Sequence, residues 1–146
     1  GRQGWHIINT SNIVEAFMIE INRNGYTRTV ILTKSFAIKI PTLKNWRGFL
    51  EGLVSNINET KFSKLGNRHL CPVVFGTKCG LIVVMKRAKK INNDGLFLVE
   101  LARLKCEVDT DEYSDSRLGW GFFMHDSMKK NYGYLNGKLV KIDYGI

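Results

Sequence analysis

Three oxygen-bearing side chains near the carboxyl end can be gathered by one hairpin. Asn136-Gly137 is a strong two-residue turn signal, and a turn there fixes the register of the flanking strands. Asn131 then falls opposite Ile142, beside Asp143, and Asp126 lies on the loop leading into the hairpin. Asp126, Asn131 and Asp143 are therefore expected within a few ångströms of one another. Two carboxylates and an amide oxygen suit a hard cation such as Mg²⁺. Lys39 sits mid-face on a predicted strand, a costly place for a bare ammonium, so an anion must lie near it. A buried lysine, a helix glutamate and an Asp/Asn/Asp cluster together make a site for a nucleotide triphosphate with Mg²⁺.

The elements that must carry these residues follow from patterning. Residues 17–40 read as three strands: FMIEIN, an Asn24-Gly25 hairpin signal, TRTVILT, a turn at Lys34-Ser35, and FAIKI. In FAIKI, Phe36, Ile38 and Ile40 share one face and Ala37 and Lys39 the other; Pro41 ends the strand. Residues 44–66 show helical spacing at Trp46, Phe49, Leu50, Leu53 and Ile57. Gly52 and Ser55-Asn56 suggest a break into two shorter helices, with Asn56 and Glu59 in capping-box spacing. Strands return at PVVFGTK and CGLIVVMK, with a turn near Lys78. KRAKKINNDG is a polar connection, and residues 95–106 form an amphipathic helix with Leu101 and Leu104 on its buried stripe. Glu107, Asp109, Asp111, Glu112 and Asp115 form an acidic loop or helix start that fits no EF-hand spacing.

The chain of 146 residues suits one domain. Its net charge of +9 is uneven: residues 1–93 hold 15 Lys and Arg against 4 Asp and Glu, residues 94–146 hold 7 against 9. That division fits polyanion binding, a phosphate-binding half facing a metal-holding half, or a solvated basic surface. No RNP, zinc-finger or helix-turn-helix signature supports nucleic acid. No apolar run reaches membrane-spanning length, and the first residues lack a secretory h-region. Cys71, Cys79 and Cys106 form no CxxC pair, and His6, His69 and His125 show no zinc spacing, which points to a reducing, cytoplasmic setting.

The order strand–NG turn–strand–AIK–helix with Glu–two strands–hinge–helix–DxxxxN–hairpin–DYG resembles the protein kinase fold from about residue 17 onward. The resemblance implies an α+β class: an antiparallel-sheet N-lobe with one helix (about 1–88, hinge included) and a reduced, mostly helical C-lobe (89–146) ending at DYG. It makes Lys39 the partner of the α/β-phosphates of ATP. Glu59 becomes the glutamate paired with that lysine, with Glu51 as second choice; the capping box is the competing account of Glu59. Val30 and Ala37 would cover the adenine, Met85 would be the gatekeeper, and Lys86 to Ala88 would offer backbone groups. Asp126 would orient the acceptor hydroxyl, and Asn131 and Asp143 would hold Mg²⁺.

Only Gly25 survives of the glycine loop; Arg23 and Arg28 occupy the other two glycine positions, as phosphate binders or as an exposed hairpin. His125 replaces the usual arginine before the loop aspartate and reads as a satisfied structural imidazole. Lys129 and Lys130 either neutralise the γ-phosphate or are solvated. Ile146 follows DYG directly, so the family's activation segment lies outside this sequence, which is expected of a cut chain or of a miniature form; small kinase-like proteins of phage and other viruses are similar, with a compact DxxxxN-x-G loop, here Asp126 to Gly133. The resemblance implies an ATP- and Mg²⁺-dependent transferase acting on a protein hydroxyl. Its alternative is a kinase-like binding module that inhibits a host protein, and nucleic-acid binding through the basic half is a third reading.

Overall fold

The computed structural model describes residues 20–23, 25–110, 118–125 and 127–145. Asn24, Asp126, Asp111, Glu112 and Asp115 lie outside the described residues, as does the start of FMIEIN. Five strands, β1 (Glu20–Asn22), β2 (Arg28–Leu32), β3 (Phe36–Pro41), β4 (Val73–Gly76) and β5 (Val83–Lys86), form one antiparallel sheet in the order β1-β2-β3-β5-β4. Helix α1 (Trp46–Ser63) connects β3 to β4. Then come α2 (Asp94–Thr110), α3 (Trp120–Met124), a 3₁₀ turn (Lys129–Asn131) and the hairpin β6 (Tyr132–Leu135) and β7 (Lys138–Lys141). The class is α+β, and the strands and the two long helices follow one another in the order expected from the sequence.

The turns explain the strand registers. Lys34-Ser35 closes β2 onto β3: Leu32 pairs with Ala37, and the Thr33 N–H donates to Phe36 O at 2.8 Å. Asn136 and Gly137 have φ of 53° and 78°, the left-handed pair a type I′ hairpin requires, and Tyr132 pairs with Lys141 as the sequence register demanded. The two-residue turn expected at Asn24-Gly25 is not what joins β1 to β2. Asn22 pairs with Val30, a register that a two-residue turn at positions 24 and 25 would not give.

Helix α1 departs from its pattern in two ways. It is one unbroken helix of 18 residues, capped by Asn45, whose side chain accepts from the Gly48 N–H at 2.6 Å. Its buried residues are Gly48, Gly52, Asn56 and Glu59, whereas Trp46 is 72% exposed. Glycines 48 and 52 are contact points and not breaks. A Cβ at Gly48 would meet Tyr26 O at 2.9 Å, and one at Gly52 would meet Pro41 Cα at 2.9 Å. Close approach of helix to sheet offsets the cost of glycine in a helix, about 1 kcal/mol each.

Helix α2 runs past its expected end, from Asp94 to Thr110, so Glu107 and Asp109 belong to its last turns and not to a loop. Asn93 caps it by accepting from the Leu96 N–H at 3.0 Å. Phe97 and Leu104 are buried, with Leu101 packed beside them. They join one continuous core with Ala37, Val83 and Met85 of the sheet and with Leu70, Cys71, Phe123, Tyr132, Leu139, Val140 and Tyr144.

Candidate active site

Residues opposite one another in an antiparallel pair share a face. Val30 opposes Lys39, which opposes Val83; Leu32 opposes Ala37, which opposes Met85; and Arg28 opposes Pro41. Arg28, Val30, Ala37, Lys39, Val83 and Met85 therefore project from one face of the sheet. Helix α1 packs on the Lys39 and Pro41 end of that face through Gly52, Asn56 and Glu59.

Two cations and two carboxylates meet there. Lys39 Nζ donates to Glu59 Oε1 and Oε2 at 3.0 and 2.9 Å and to Ile142 O at 2.5 Å, which engages all three of its hydrogens. Arg28 Nη1 donates to Glu59 Oε1 and, at 3.2 Å, to Asn56 Oδ1; its Nη2 donates to Asp143 Oδ1 at 2.6 Å. Glu59 is fully buried, so the capping-box account of it fails: Asn56 and Glu59 lie inside the helix, facing the sheet. The Asn56 amide instead ties helix to sheet, donating to Lys39 O at 3.1 Å and Gly80 O at 2.8 Å. Glu51, the second choice, pairs with Arg47 on the exposed side.

Burial lowers the Lys39 amine below its ordinary value by more than Glu59 raises it, and Arg28 adds to the lowering. Burial pulls Arg28 the same way, but Glu59 and Asp143 together hold the guanidinium above its ordinary value. Neither arginine-as-phosphate-ligand nor exposed hairpin describes Arg28: it is buried and holds two carboxylates. Arg28 carried no sequence signal of this, because the contacts span 31 and 115 residues.

The carboxyl-terminal segment is fastened to α1 and the core. The Ile142 N–H donates to Asn131 O at 2.8 Å, which sets Asn131 beside the Ile142-Asp143 step. Tyr144 is buried and donates to Cys71 O at 2.7 Å; burial raises its phenol well above the ordinary value. Gly145 lies against α1, where a Cβ would meet Glu59 Cγ at 2.8 Å, and Asn58 donates to its carbonyl at 3.1 Å. Asp143, with 40% of its side chain exposed, and Asn131 offer hard oxygens of the kind Mg²⁺ takes alongside water, so these residues fit that ion. Among the described residues no group of three or more His, Cys, Asp or Glu is arranged around a metal position.

The wall beyond Lys39 is apolar. Met85 and Ala37 are buried partners across β3 and β5, and Val30 packs against the same core. Of residues 86–88, Lys86 and Arg87 have their N–H groups engaged by Pro72 O at 3.1 Å and Ser35 O at 3.0 Å. Lys86 thus has no backbone N–H to offer a base and only the second lone pair of a carbonyl that already accepts from Cys71 Sγ at 3.0 Å, and the donor of that segment falls to Ala88. Gly133 presses on it: a Cβ there would meet Ala88 Cβ at 2.7 Å.

The remaining candidates fall elsewhere. Gly25 is exposed, and a Cβ on it would meet Arg28 O at 2.6 Å, so closure of its own loop is enough to require glycine. His125 is exposed and is not the structural imidazole expected; its backbone does that work, its carbonyl accepting from Lys141 Nζ at 2.8 Å. Lys141, buried and also donating to Phe122 O at 3.0 Å, was missed because a lysine in KLVKID reads as an outward strand residue. Lys129 pairs with Asp94 at 2.6 Å, and Lys130 is exposed. Asp126 lies outside the described residues.

No protein-family model matches the chain, and no curated protein matches it. A solved ternary complex of streptomycin, ATP and APH(2″)-IIa aligns with it at a TM-score of 0.47 and 11% identity, over 95% of this chain and 70% of that one.

Proposed function

We propose that the chain is an ATP- and Mg²⁺-dependent phosphotransferase of protein kinase type, acting on a protein serine or threonine hydroxyl. The observation that carries the proposal is the buried Lys39–Glu59 pair lying against the Ile142-Asp143 step. A lysine in that position, freed from Ile142 O, reaches a phosphate while Glu59 keeps it charged and aimed. Asn131 and Asp143 would hold Mg²⁺, which neutralises phosphate charge when bound. Val30, Ala37 and Met85 would line the base pocket, with Lys86 O and the Ala88 N–H as its polar edge. Asp126 would orient the acceptor hydroxyl. On this reading residues 1–88 form a sheet lobe with its hinge and residues 89–146 a small second lobe, and rate enhancement comes from positioning and charge neutralisation. No helix among the described residues is long and apolar enough to cross a membrane, and three free cysteines suit a reducing cytoplasm.

The test is transfer of radiolabelled γ-phosphate to the protein itself and to generic acceptor proteins. Transfer that falls at least about a hundredfold in Asp143→Ala and in Lys39→Met supports the proposal. Transfer unaffected by either substitution refutes it. The second reading, a kinase-like module that binds and inhibits another protein, is favoured by one observation: the four charged groups satisfy one another without any ligand. Thermal stabilisation by Mg²⁺–ATP without transfer would select it.

A further inference from the structure

The carboxylate best suited to hold a metal is already held by a cation of the protein. Arg28 reaches it from β2 across 115 residues of sequence, at 2.6 Å, with its other nitrogen anchored on Glu59 and Asn56. Arg28 is buried while the Asp143 side chain is 40% exposed, so the fork is fixed at three points at the edge of the core and not out on the surface. Arg28, Lys39, Glu59 and Asp143 sum to zero charge. A divalent cation added at Asp143 leaves an uncompensated double charge beside two buried cations unless the guanidinium moves off.

We propose that Arg28 is an internal latch on Asp143: its guanidinium competes with a divalent cation for that carboxylate, and metal enters only as Arg28 lets go. The proposal rests on the reading of Asp143 as a metal ligand. It adds that Arg28 sets how tightly metal, and with it metal–nucleotide, is taken. The residue is a positioning residue and touches no reacting atom. Arginine suits this role where lysine would not, because one planar fork bridges two carboxylates at once.

Mn²⁺ serves as the probe, titrated without nucleotide and followed by its paramagnetic resonance, with wild type and Arg28→Gln compared. Loss of a charge-assisted bond to a carboxylate predicts Mn²⁺ binding at least about tenfold tighter in the variant. Equal or weaker binding overturns the latch. Because Arg28→Gln disturbs a buried cluster, a second measurement uses the wild type: guanidinium NMR of Arg28 as Mg²⁺ is added. The bridged guanidinium rotates slowly, and rotation should quicken at saturating metal; signals unchanged at saturation overturn the latch. ATP titrations run in parallel keep the two readings apart. A wild type that gains no ATP affinity with metal, beside an Arg28→Gln variant that gains Mn²⁺, removes phosphotransfer and leaves the latch standing. ATP binding with no Mn²⁺ gain does the reverse.

Discussion

The charge cluster predicts an asymmetry between its two central members. Glu59→Gln keeps the shape of the side chain and removes the one fully buried carboxylate among the described residues, which neutralises Arg28 and Lys39 together. Two buried cations are then left with Asp143, whose side chain is 40% exposed. Removing one partner of a buried pair costs about 3–5 kcal/mol, and the doubled partner puts this case at the upper end, about 4–5 kcal/mol. That is a large share of the roughly 5–15 kcal/mol that holds a domain folded, and it lowers Tm by roughly 8–20 °C. Lys39→Met differs, because Glu59 keeps Arg28 as its counter-ion and an amine already disfavoured by burial is gone. Its cost should stay under about 2 kcal/mol. In the double variant the two effects should not add, since removing Lys39 relieves half of the charge that Glu59→Gln strands. Urea unfolding followed by far-UV circular dichroism measures all three. Equal losses in the two single variants, or additivity in the double, would refute the idea that one carboxylate serves two cations.

Two further outcomes follow from the packing of the carboxyl-terminal segment and of Cys71. Gly145→Val should loosen the carboxyl-terminal segment and destabilise the fold by about 2–4 kcal/mol, because α1 occupies the space a side chain needs; an unchanged Tm would contradict that packing. Burial pushes the Cys71 thiol up to about 11, so the folded chain keeps a proton that the unfolded chain releases near 9.0. Its stabilising contribution is complete below pH 9 and is lost as pH rises toward about 11. Iodoacetamide at pH 8 should accordingly label the exposed Cys79 and Cys106 first and Cys71 only on unfolding, as read by mass spectrometry.

Much of the sheet was legible because its determinants are local. The Lys34-Ser35 and Asn136-Gly137 turns set registers by themselves, and strand alternation put Ala37 and Lys39 on one face. The Lys39–Glu59 pairing was anticipated through the family resemblance alone, since spacing by itself favoured a capping box at Asn56 and Glu59. Arg28 was not legible. Nothing in TRTVIL says that its arginine turns inward, since only Glu59 and Asp143, both remote in sequence, make that burial tolerable. The Asn24-Gly25 signal misled for a related reason: strand pairing sets the β1–β2 register with Asn22 opposite Val30, and a dipeptide favourable to a tight turn does not force one. Lys141 and Gly145 were missed because each answers to a neighbour elsewhere in the chain, the carbonyls ending α3 and the flank of α1.

Helix α1 inverts the usual amphipathic rule, and the cluster supplies the reason. Hydrophobic periodicity located the helix, yet Trp46, Leu50 and Val54 lie on an exposed stripe while Gly48, Gly52, Asn56 and Glu59 face the sheet. Two buried cations on the sheet need a carboxylate, and α1 is the helix packed on that end of the face, so its inward stripe must be small where it touches backbone and polar where it touches charge. The consequence is testable by two substitutions that pattern reading would rank in the opposite order. Asn56→Leu places an apolar residue at a fully buried position, which hydrophobicity alone would favour. It leaves Lys39 O and Gly80 O without their donor and removes an acceptor from Arg28, for a loss of about 2–5 kcal/mol. Val54→Lys replaces an apolar residue by a charge on the exposed stripe and should stay within about 0.5 kcal/mol. Should Val54→Lys prove the more damaging, α1 would have to pack through its apolar face, and the polar lining of the site would have no structural basis.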